Sequence, residues 1–147
     1  EGYIGHEGEM VDRLRRILQN ARDIKQMIHH DKPIRHSKVA ILGLTFKENC
    51  PDTRNTKVVD LIKELSLFGM QVDVWDPFVA ELPTELFGLC DLIEEPVEHI
   101  YDGIILAVAH NTFSSLSSDW FSKVGKHSYV LFDLKSILDE QIVDFRL

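Results

Sequence analysis

A short stretch of the chain combines two cations, an aromatic ring and a carboxylate. Phe46 and Lys47 are followed closely by Asp52 and Arg54. Lysine and arginine carry cationic hydrogen-bond donors that suit phosphate or pyrophosphate groups, and a nearby helix N-terminus adds positive potential. The alternative is a solvated loop in which Asp52 and Arg54 pair with each other. On charge alone the solvated loop is the simpler interpretation.

The elements that must position this stretch are a strand before it and a helix after it. Residues 38–43 form a largely apolar run that is typical of a buried strand. Asn55 is suited to cap a helix that extends to residue 68, and Gly69 is a natural stop for it. The apolar residues on the inner face of this predicted helix are Val58, Val59, Ile62 and Leu65.

Strands and helices alternate along the remainder of the chain. We predict strands at 70–75, 89–93, 103–108 and 129–132, helices at 79–88, 96–101 and 114–123, and a closing turn or helix at 137–143. Strands that are apolar throughout are covered on both faces of their sheet. The expected fold class is therefore α/β, a doubly wound, mostly parallel, Rossmann-like sheet. Its ligand site should lie at the carboxyl ends of the strands, in the loops after Gly43, Trp75, Val108 and Phe132.

The N-terminal residues carry the pattern of a long amphipathic helix. Apolar residues recur at heptad spacing: Met10, Leu14, Ile17, Ala21, Ile24 and Ile28. We expect one helix over about residues 7–29 that ends before Pro33, and hence two parts, a helix and linker over 1–36 and an α/β domain over 37–147. The helix packs either on its own domain or on a second subunit or another domain. Its place ahead of a self-contained α/β pattern favours the second arrangement.

Composition disfavours several classes of function. The chain has 147 residues, of which 16 are basic and 24 acidic, and its net charge of −8 disfavours duplex nucleic acid as a partner. No apolar run approaches the ~20 residues of a membrane span, and no signal peptide is visible, so no membrane association is expected. Cys50 and Cys90 are too few for a disulfide framework, and the expected location is the cytoplasm. His29, His30 and His36 lack a fourth ligand, so no metal site is expected.

The residues that follow the predicted strands bear on cofactor binding. Gly43 is the one glycine in its turn, whereas a dinucleotide fingerprint needs several, and the Walker phosphate-binding pattern is missing. The domain therefore looks Rossmann-like but lacks the usual NAD site. His110 follows a strand end, where it either takes part in function or caps the next turn. Asp76 precedes Pro77, which favours a role in forming a turn over a role as an acid catalyst. Trp75 is more typical of core packing than of stacking on a ligand.

The segment from Lys38 to Pro77 strongly resembles the C-terminal, UDP-binding domain of the UDP-glucose/GDP-mannose dehydrogenase family. That family's pattern is a strand and a glycine, then Phe-Lys, then Asp-x-Arg, a helix, and a second strand that ends in Asp-Pro. The matching residues are Phe46, Lys47, Asp52, Arg54, Asp76 and Pro77. The C-terminal part also fits the family at Asp102, Gly103, His110, Phe113 and residues 132–135. The resemblance covers about residues 37–147. Within the family, the sequence looks most like the bacterial UDP-N-acetylhexosamine 6-dehydrogenases.

The resemblance implies the substrate-binding part of an NAD-dependent oxidoreductase that converts a UDP-hexose or UDP-N-acetylhexosamine to its uronic acid for polysaccharide synthesis. In such enzymes an N-terminal domain binds NAD, a central helix forms the homodimer, and a cysteine in a glycine-rich motif carries the covalent intermediates. The sequence lacks that domain and that motif, so no catalytic residue is expected in it and it should not turn over alone. By the same resemblance Phe46, Lys47 and Lys135 bind the UDP-sugar, and Arg54 reaches the NAD. Lys135 stands where arginine is common.

Two other functional classes compete with the enzyme-part hypothesis. One is a stand-alone, non-catalytic module that binds a nucleotide sugar or dimerises through the N-terminal helix. The other is a flavodoxin-like regulatory domain, which commonly has acidic residues at the end of its first strand. The residues here are Gly43, Leu44 and Thr45, which disfavours that class. The particular UDP-sugar and the oligomeric state are left open by the sequence.

Overall fold

A computed structural model describes residues 37–54, 56–67 and 69–146. Three features predicted from the sequence lie outside these residues: the amphipathic helix with its heptad pattern, the histidines near positions 29–36, and the cap at Asn55. The proposed boundary between residues 36 and 37 therefore stays a prediction.

The domain is built on one sheet of six strands, all paired in parallel. The strands are β1 (Lys38–Leu42), β2 (Gln71–Trp75), β3 (Asp91–Ile93), β4 (Tyr101–Leu106), β5 (Gly125–Asp133) and β6 (Phe145–Arg146). Their order across the sheet is β3-β2-β1-β4-β5-β6. This is the order of doubly wound dinucleotide-binding domains, and it confirms the predicted fold class. The strand order reverses between β1 and β4, which makes their carboxyl ends the expected ligand crevice.

Helical segments connect the strands. They are α1 (Lys57–Leu67), a 3-10 turn (Thr84–Leu86), α2 (Asn111–Ser114) and α3 (Ser118–Val124). None of the helices within the described ranges is long and apolar enough to cross a membrane.

Helix α1 follows the sequence prediction closely. Its four predicted inner residues are all buried. The hydroxyl of Thr56 accepts a hydrogen bond from the N–H of Val58 (3.2 Å), which satisfies one of the free donors at the helix start. At the other end Gly69 has φ of 77°, and the N–H of Met70 donates to the carbonyl of Leu65 (3.2 Å). This bonding is typical of a glycine-terminated helix and explains why α1 stops there.

Each face of the sheet carries its own apolar core. Successive strand residues point to opposite faces, so Ile41 packs on the side that α1 covers and Leu42 on the side that α2 and α3 cover. Both side chains are completely buried. Covered faces on both sides of the sheet explain why the central strands β1 and β4 carry consecutive apolar residues rather than apolar residues at alternate positions.

The predicted helix over 96–101 is wrong. His99 has φ of 58°, which is incompatible with a right-handed helix, and its N–H donates to the carbonyl of Lys123 (3.0 Å). Tyr101 already begins β4, two residues before the predicted strand. The segment is a loop held by a long-range backbone bond that local spacing does not reveal.

Other predicted elements differ in extent. The segment 79–88 contains one 3-10 turn, and the helix predicted over 114–123 starts only at Ser118 as α3, after the separate short helix α2 over Asn111–Ser114. The two helices are separate because the hydroxyl of Ser117 accepts from the N–H of Trp120 (3.2 Å) and starts a new helix. Strand β5 begins at Gly125, earlier than predicted, with a register shift against β4. The residues 137–143 form turns, and β6 follows them.

Candidate functional site

The crevice between the β1 and β4 loops is closed by direct backbone packing. Gly43 has φ of 103°, and a Cβ atom placed on it would lie 2.5 Å from Cβ and 2.9 Å from the backbone N of Val108. Its own N–H donates to the carbonyl of Trp75 (2.9 Å). Only glycine fits this conformation and this approach without strain. The glycine recognised in the sequence thus brings the ends of three neighbouring strands together.

Asp76 occupies the backbone donors at the switch point. Its Oδ2 accepts hydrogen bonds from the N–H groups of Leu44 (2.7 Å) and Thr45 (3.2 Å), and its Oδ1 accepts from the N–H of Phe78 (2.8 Å). The bond to Phe78 confirms the predicted role in a turn. The bonds to Leu44 and Thr45 take the place that a dinucleotide pyrophosphate takes in NAD-binding domains, because the protein's own carboxylate receives the donors of the first strand's turn. This turn does not fit a pyrophosphate.

His110 lies completely buried beside Asp76. Its Nδ1 accepts from the N–H of Asn49 (2.8 Å), so Nδ1 carries no proton. Its Nε2 then carries the proton and donates to Oδ2 of Asp76 (2.9 Å), with Oγ1 of Thr45 at 3.2 Å. That hydroxyl itself donates to the carbonyl of Lys47 (2.9 Å). The tautomer is assigned from these partners. Both ring nitrogens are engaged, so His110 has no free nitrogen for acid–base chemistry.

Asn49 joins the β1 loop to the start of α2. Its φ of 58° is left-handed, which asparagine tolerates better than most residues. Its Oδ1 accepts from the N–H of Asn111 (3.0 Å), the first residue of α2. The side chain of His110, which precedes α2, makes no capping bond. Asn49 therefore caps α2 from another loop, and the alternative in which His110 caps its own turn is wrong for the side chain.

The second half of the β1 loop is closed by an ion pair. The N–H of Phe46 donates to the carbonyl of Asp52 (2.6 Å). Arg54 donates to both oxygens of Asp52, from Nε to Oδ1 (3.0 Å) and from Nη2 to Oδ2 (3.1 Å). The Arg54 hydrogen bonds lower the pKa of Asp52 to about 2, and the carboxylate raises the pKa of Arg54. The predicted local pair is confirmed, and it fixes the direction of an otherwise exposed guanidinium.

Two lysines and one phenylalanine are exposed at the same edge of the sheet. Phe46 and Lys47 follow β1, and Phe46 is 53% exposed. Lys135 follows β5, and its backbone N–H donates to Oδ1 of the buried Asp133 (3.0 Å). Within the described part of the chain, neither lysine ammonium has a carboxylate partner. These loops follow strands on both sides of the switch point, and they present there two lysine ammonium groups that no carboxylate of the described residues pairs with.

Neither cysteine is placed as a reactive thiolate would be. Burial, followed by the charges of Asp91 and Asp73, raises the pKa of the Cys90 thiol to about 11, so it is protonated and inert at neutral pH. Cys50 is partly exposed in the β1 loop, and neither cysteine forms a disulfide. Among the residues that the structure describes, no cluster of three or more potential ligands that could hold a metal ion occurs.

Sequence reasoning placed the loops correctly but missed the polar network that joins them. Trp75 packs in the core as predicted, with its ring 5.2 Å from Phe113 and 5.6 Å from Trp120. The joint role of Asp76, His110 and Asn49 was not foreseen, because their contacts join loops far apart in sequence. Polar residues directly after predicted strands were the available signal.

Comparison with known proteins identifies the family of the domain. The model of the UDP-glucose/GDP-mannose dehydrogenase family, UDP binding domain, matches residues 40–140. The chain is 48% identical to a UDP-N-acetyl-D-glucosamine 6-dehydrogenase from Pseudomonas aeruginosa, over 84% of this chain and 28% of that protein. It is 40% identical to another from Salmonella typhi, over 98% of this chain and 35% of that protein. The chain thus spans about a third, or less, of the length of these relatives.

A solved structure supports the same fold. A UDP-D-ManNAc dehydrogenase from Pyrococcus horikoshii superposes with a TM-score of 0.67 at 21% identity, over 92% of this chain and 29% of that one. At this identity the likeness concerns the fold alone. The family match rests instead on the sequence, since the family model covers well over half of the residues. The chain therefore belongs to the UDP-glucose/GDP-mannose dehydrogenase family and contains its UDP binding domain.

Proposed function

We propose that this chain supplies the UDP-sugar site of an NAD-dependent nucleotide-sugar 6-dehydrogenase. The proposed substrate is a UDP-N-acetylhexosamine, and the curated relatives with the names quoted above favour UDP-N-acetyl-D-glucosamine. The product is the corresponding uronic acid, for polysaccharide synthesis. The chain binds and positions, but it contributes no catalytic cysteine and does not turn over alone.

The observation that carries this proposal is the pair of uncommitted lysines at the carboxyl edge of the sheet. The chain as a whole is acidic, with a net charge of −8, yet Lys47 and Lys135 face solvent without carboxylate partners in the described residues. An ammonium suits a diphosphate as a point charge with three donors. Because Asp76 already takes the backbone donors of the β1 turn, side-chain cations must supply the charge for the diphosphate.

Phe46 supplies an apolar surface beside this charge. Phe46 is more than half exposed, in a loop that hydrogen bonds close. An aromatic face next to a lysine suits a nucleotide, which presents a flat base and a charged diphosphate. We assign Phe46 to the nucleotide part and Lys47 and Lys135 to the anionic part of the UDP-sugar.

The oxidation of the sugar needs a hydride acceptor, and NAD would supply that chemistry in the whole enzyme. The β1 turn of this domain does not fit it, so NAD must be held mainly by another part of the enzyme. We propose that Arg54 is the contribution of this chain. Asp52 engages its Nε and Nη2, while Nη1 has no partner among the described residues and is available to a phosphate oxygen. Asp52 thus orients Arg54 without consuming all of its donors.

Two further proposals concern assembly and location. We propose that the helix over about residues 7–29 forms a homodimer contact in the whole enzyme, which its heptad spacing supports. We propose the cytoplasm as the location, supported by two free cysteines, which are typical of a reducing compartment.

Calorimetric titration tests the site. UDP and UDP-N-acetylglucosamine are titrated into the wild-type chain and into Lys47→Ala and Lys135→Ala. The matched control is Lys123→Ala, an exposed lysine just before β5 and hence at the opposite edge of the sheet. Loss of a hydrogen bond to a charged group should weaken binding roughly tenfold or more in each loop variant.

The control should bind UDP as the wild type does. Equal weakening by Lys123→Ala would reduce the effect to overall charge and would contradict the assignment of Lys47 and Lys135. Binding of NAD in preference to UDP would contradict the proposed function as a whole.

A further inference from the structure

One side chain in the site is buried too deeply to touch a ligand. Its hydrogen bonds nevertheless reach the residues that flank Phe46 and Lys47 in the sequence. His110 is completely buried, with the ring of Phe78 4.6 Å and that of Phe113 5.4 Å from its own. Its only polar contacts in the described residues are to the protein itself. Whatever it contributes to binding must therefore act through other residues.

The two ring nitrogens of His110 hold two ends of one short segment. Nε2 contacts Thr45 at the beginning of the β1 loop, as well as Asp76 in the loop after β2, and Nδ1 accepts from Asn49, four residues after Thr45. Phe46 and Lys47 lie between these anchor points and are exposed. The same imidazole therefore fixes the segment that carries both proposed nucleotide contacts.

We propose that His110 is a positioning residue for the UDP-sugar, which holds the Phe46–Lys47 segment in its binding conformation before the ligand arrives. The proposal rests on the proposed function as regards the ligand. A histidine that merely filled space would need neither nitrogen at those places. Here the bond to Asn49 restrains an exposed residue with left-handed φ, and such restraint lowers the entropy that the loop loses on binding.

A matched pair of variants separates the two arms of His110. Glutamine reaches far enough to place an amide donor near the Nε2 position, so His110→Gln keeps the donor to Asp76 and loses the acceptor for Asn49. Asparagine places an amide oxygen near the Nδ1 position, so His110→Asn keeps the acceptor for Asn49 and loses the donor to Asp76. His127→Gln, at an exposed histidine in β5, is the control.

The two His110 variants should differ in UDP binding and in stability, each in the opposite order. The side chain of Asp76 is completely buried, so losing the hydrogen bond from His110 leaves it without that donor and destabilises the fold. Losing the acceptor for the Asn49 N–H costs less, because Asn49 is exposed and water can replace the lost partner. His110→Asn should therefore be the less stable variant in urea unfolding. His110→Gln should be the weaker binder of UDP, roughly tenfold below the wild type, because only it releases Asn49.

Nuclear magnetic resonance provides a readout that needs no ligand. In the wild type, nitrogen shifts of His110 should show a protonated Nε2 and an unprotonated Nδ1. Amide exchange at Asn49 should be roughly tenfold faster in His110→Gln and close to the wild type in His110→Asn and His127→Gln, because only His110→Gln removes the acceptor of the Asn49 N–H. Amide exchange at Asn49 that is equal in both His110 variants would overturn the positioning role, as would UDP binding that follows their stability order.

The two proposals fail in different ways. If the wild-type chain does not bind UDP, the proposed function is contradicted, and the exchange comparison alone decides whether His110 holds the segment. If the wild type binds UDP and His110→Gln binds equally well, the proposed function stands and the positioning role is overturned.

Discussion

Replacing Gly43 by alanine should lower the free energy of unfolding far more than replacing another glycine of similar backbone conformation. Gly43 and Gly88 both have positive φ, of 103° and 81°. A Cβ on Gly43 would lie 2.5 Å from Cβ of Val108, whereas a Cβ on Gly88 would meet no atom within 4 Å. The pair therefore shares the backbone penalty and differs in the steric one.

The expected magnitudes follow from these two contributions. An L-residue at positive φ costs about 1–2 kcal/mol, and forcing atoms into a packed site costs about 1–3 kcal/mol more. Gly88→Ala should lower the free energy of unfolding by about 1 kcal/mol, and Gly43→Ala by about 3 kcal/mol or more. Val108→Ala should not rescue Gly43→Ala, because Cβ and the backbone N of residue 108, at 2.5 and 2.9 Å, remain in place.

Urea unfolding followed by tryptophan fluorescence measures both variants. The two tryptophans of the chain, Trp75 and Trp120, stack on each other in the core on one face, with ring centroids 5.6 Å apart, and report its loss. A Gly43→Ala variant no less stable than Gly88→Ala would refute the claim that the β1 loop must lie directly on the β4 loop.

Three further predictions follow from the charged and polar groups. Tyr101→Phe should cost about 1–2 kcal/mol in urea unfolding, because the buried hydroxyl donates to Asp73 (2.6 Å); an unchanged stability would mean that this bond contributes nothing net. Cys90, measured in a variant whose other cysteine is serine, should resist alkylation at neutral pH and react only as the pH approaches about 11; rapid labelling at pH 7 would contradict its burial. The pKa of Asp52 is lowered from 3.8 to about 2, so its pairing with Arg54 contributes stability above pH 3.8 that is lost as the pH falls through about 2. Asp52→Asn should flatten this part of the stability profile and change stability little at pH 7, and an unaltered acid slope would rule out the pair as its source.

Much of the fold follows from local pattern in the sequence. Helix α1 has a clear apolar face and a glycine stop, β1 is an almost continuous apolar run, and β2 ends before Asp76 and Pro77, so each was predicted to within a residue or two. Parallel pairing followed from the same apolar runs, because strands that are covered on both faces are typical of parallel sheets. These are features in which neighbouring residues determine the outcome.

Features set by distant residues were not predictable in the same way. The loop at His99 is held by the carbonyl of Lys123, and β5 begins early through a bulged pairing with β4. The network around His110 joins residues 31 to 65 positions apart. Its members were recognisable as polar residues after strands, but their mutual bonds depend on the order of strands in the sheet.

The candidate site shows the same division. Lys47, Lys135 and Phe46 were chosen by resemblance, and the structure finds each of them exposed on loops at the carboxyl edge of the sheet. That they bind a nucleotide stays a prediction. The closing of the β1 turn by Asp76 was not expected, although the single glycine of that turn already argued against a dinucleotide there.

Mapping the UDP site by nuclear magnetic resonance tests the central claim most directly. UDP is titrated into the isotope-labelled chain, with NAD in a parallel titration and Lys47→Ala as the comparison. We predict saturable shifts at residues 45–49 and 134–136, weakened by Lys47→Ala, with little response of the β1 turn to NAD. Shifts confined to the opposite edge of the sheet, around Lys38 and Lys126, or no response to UDP at all, would contradict the assignment of a UDP-sugar site to these loops.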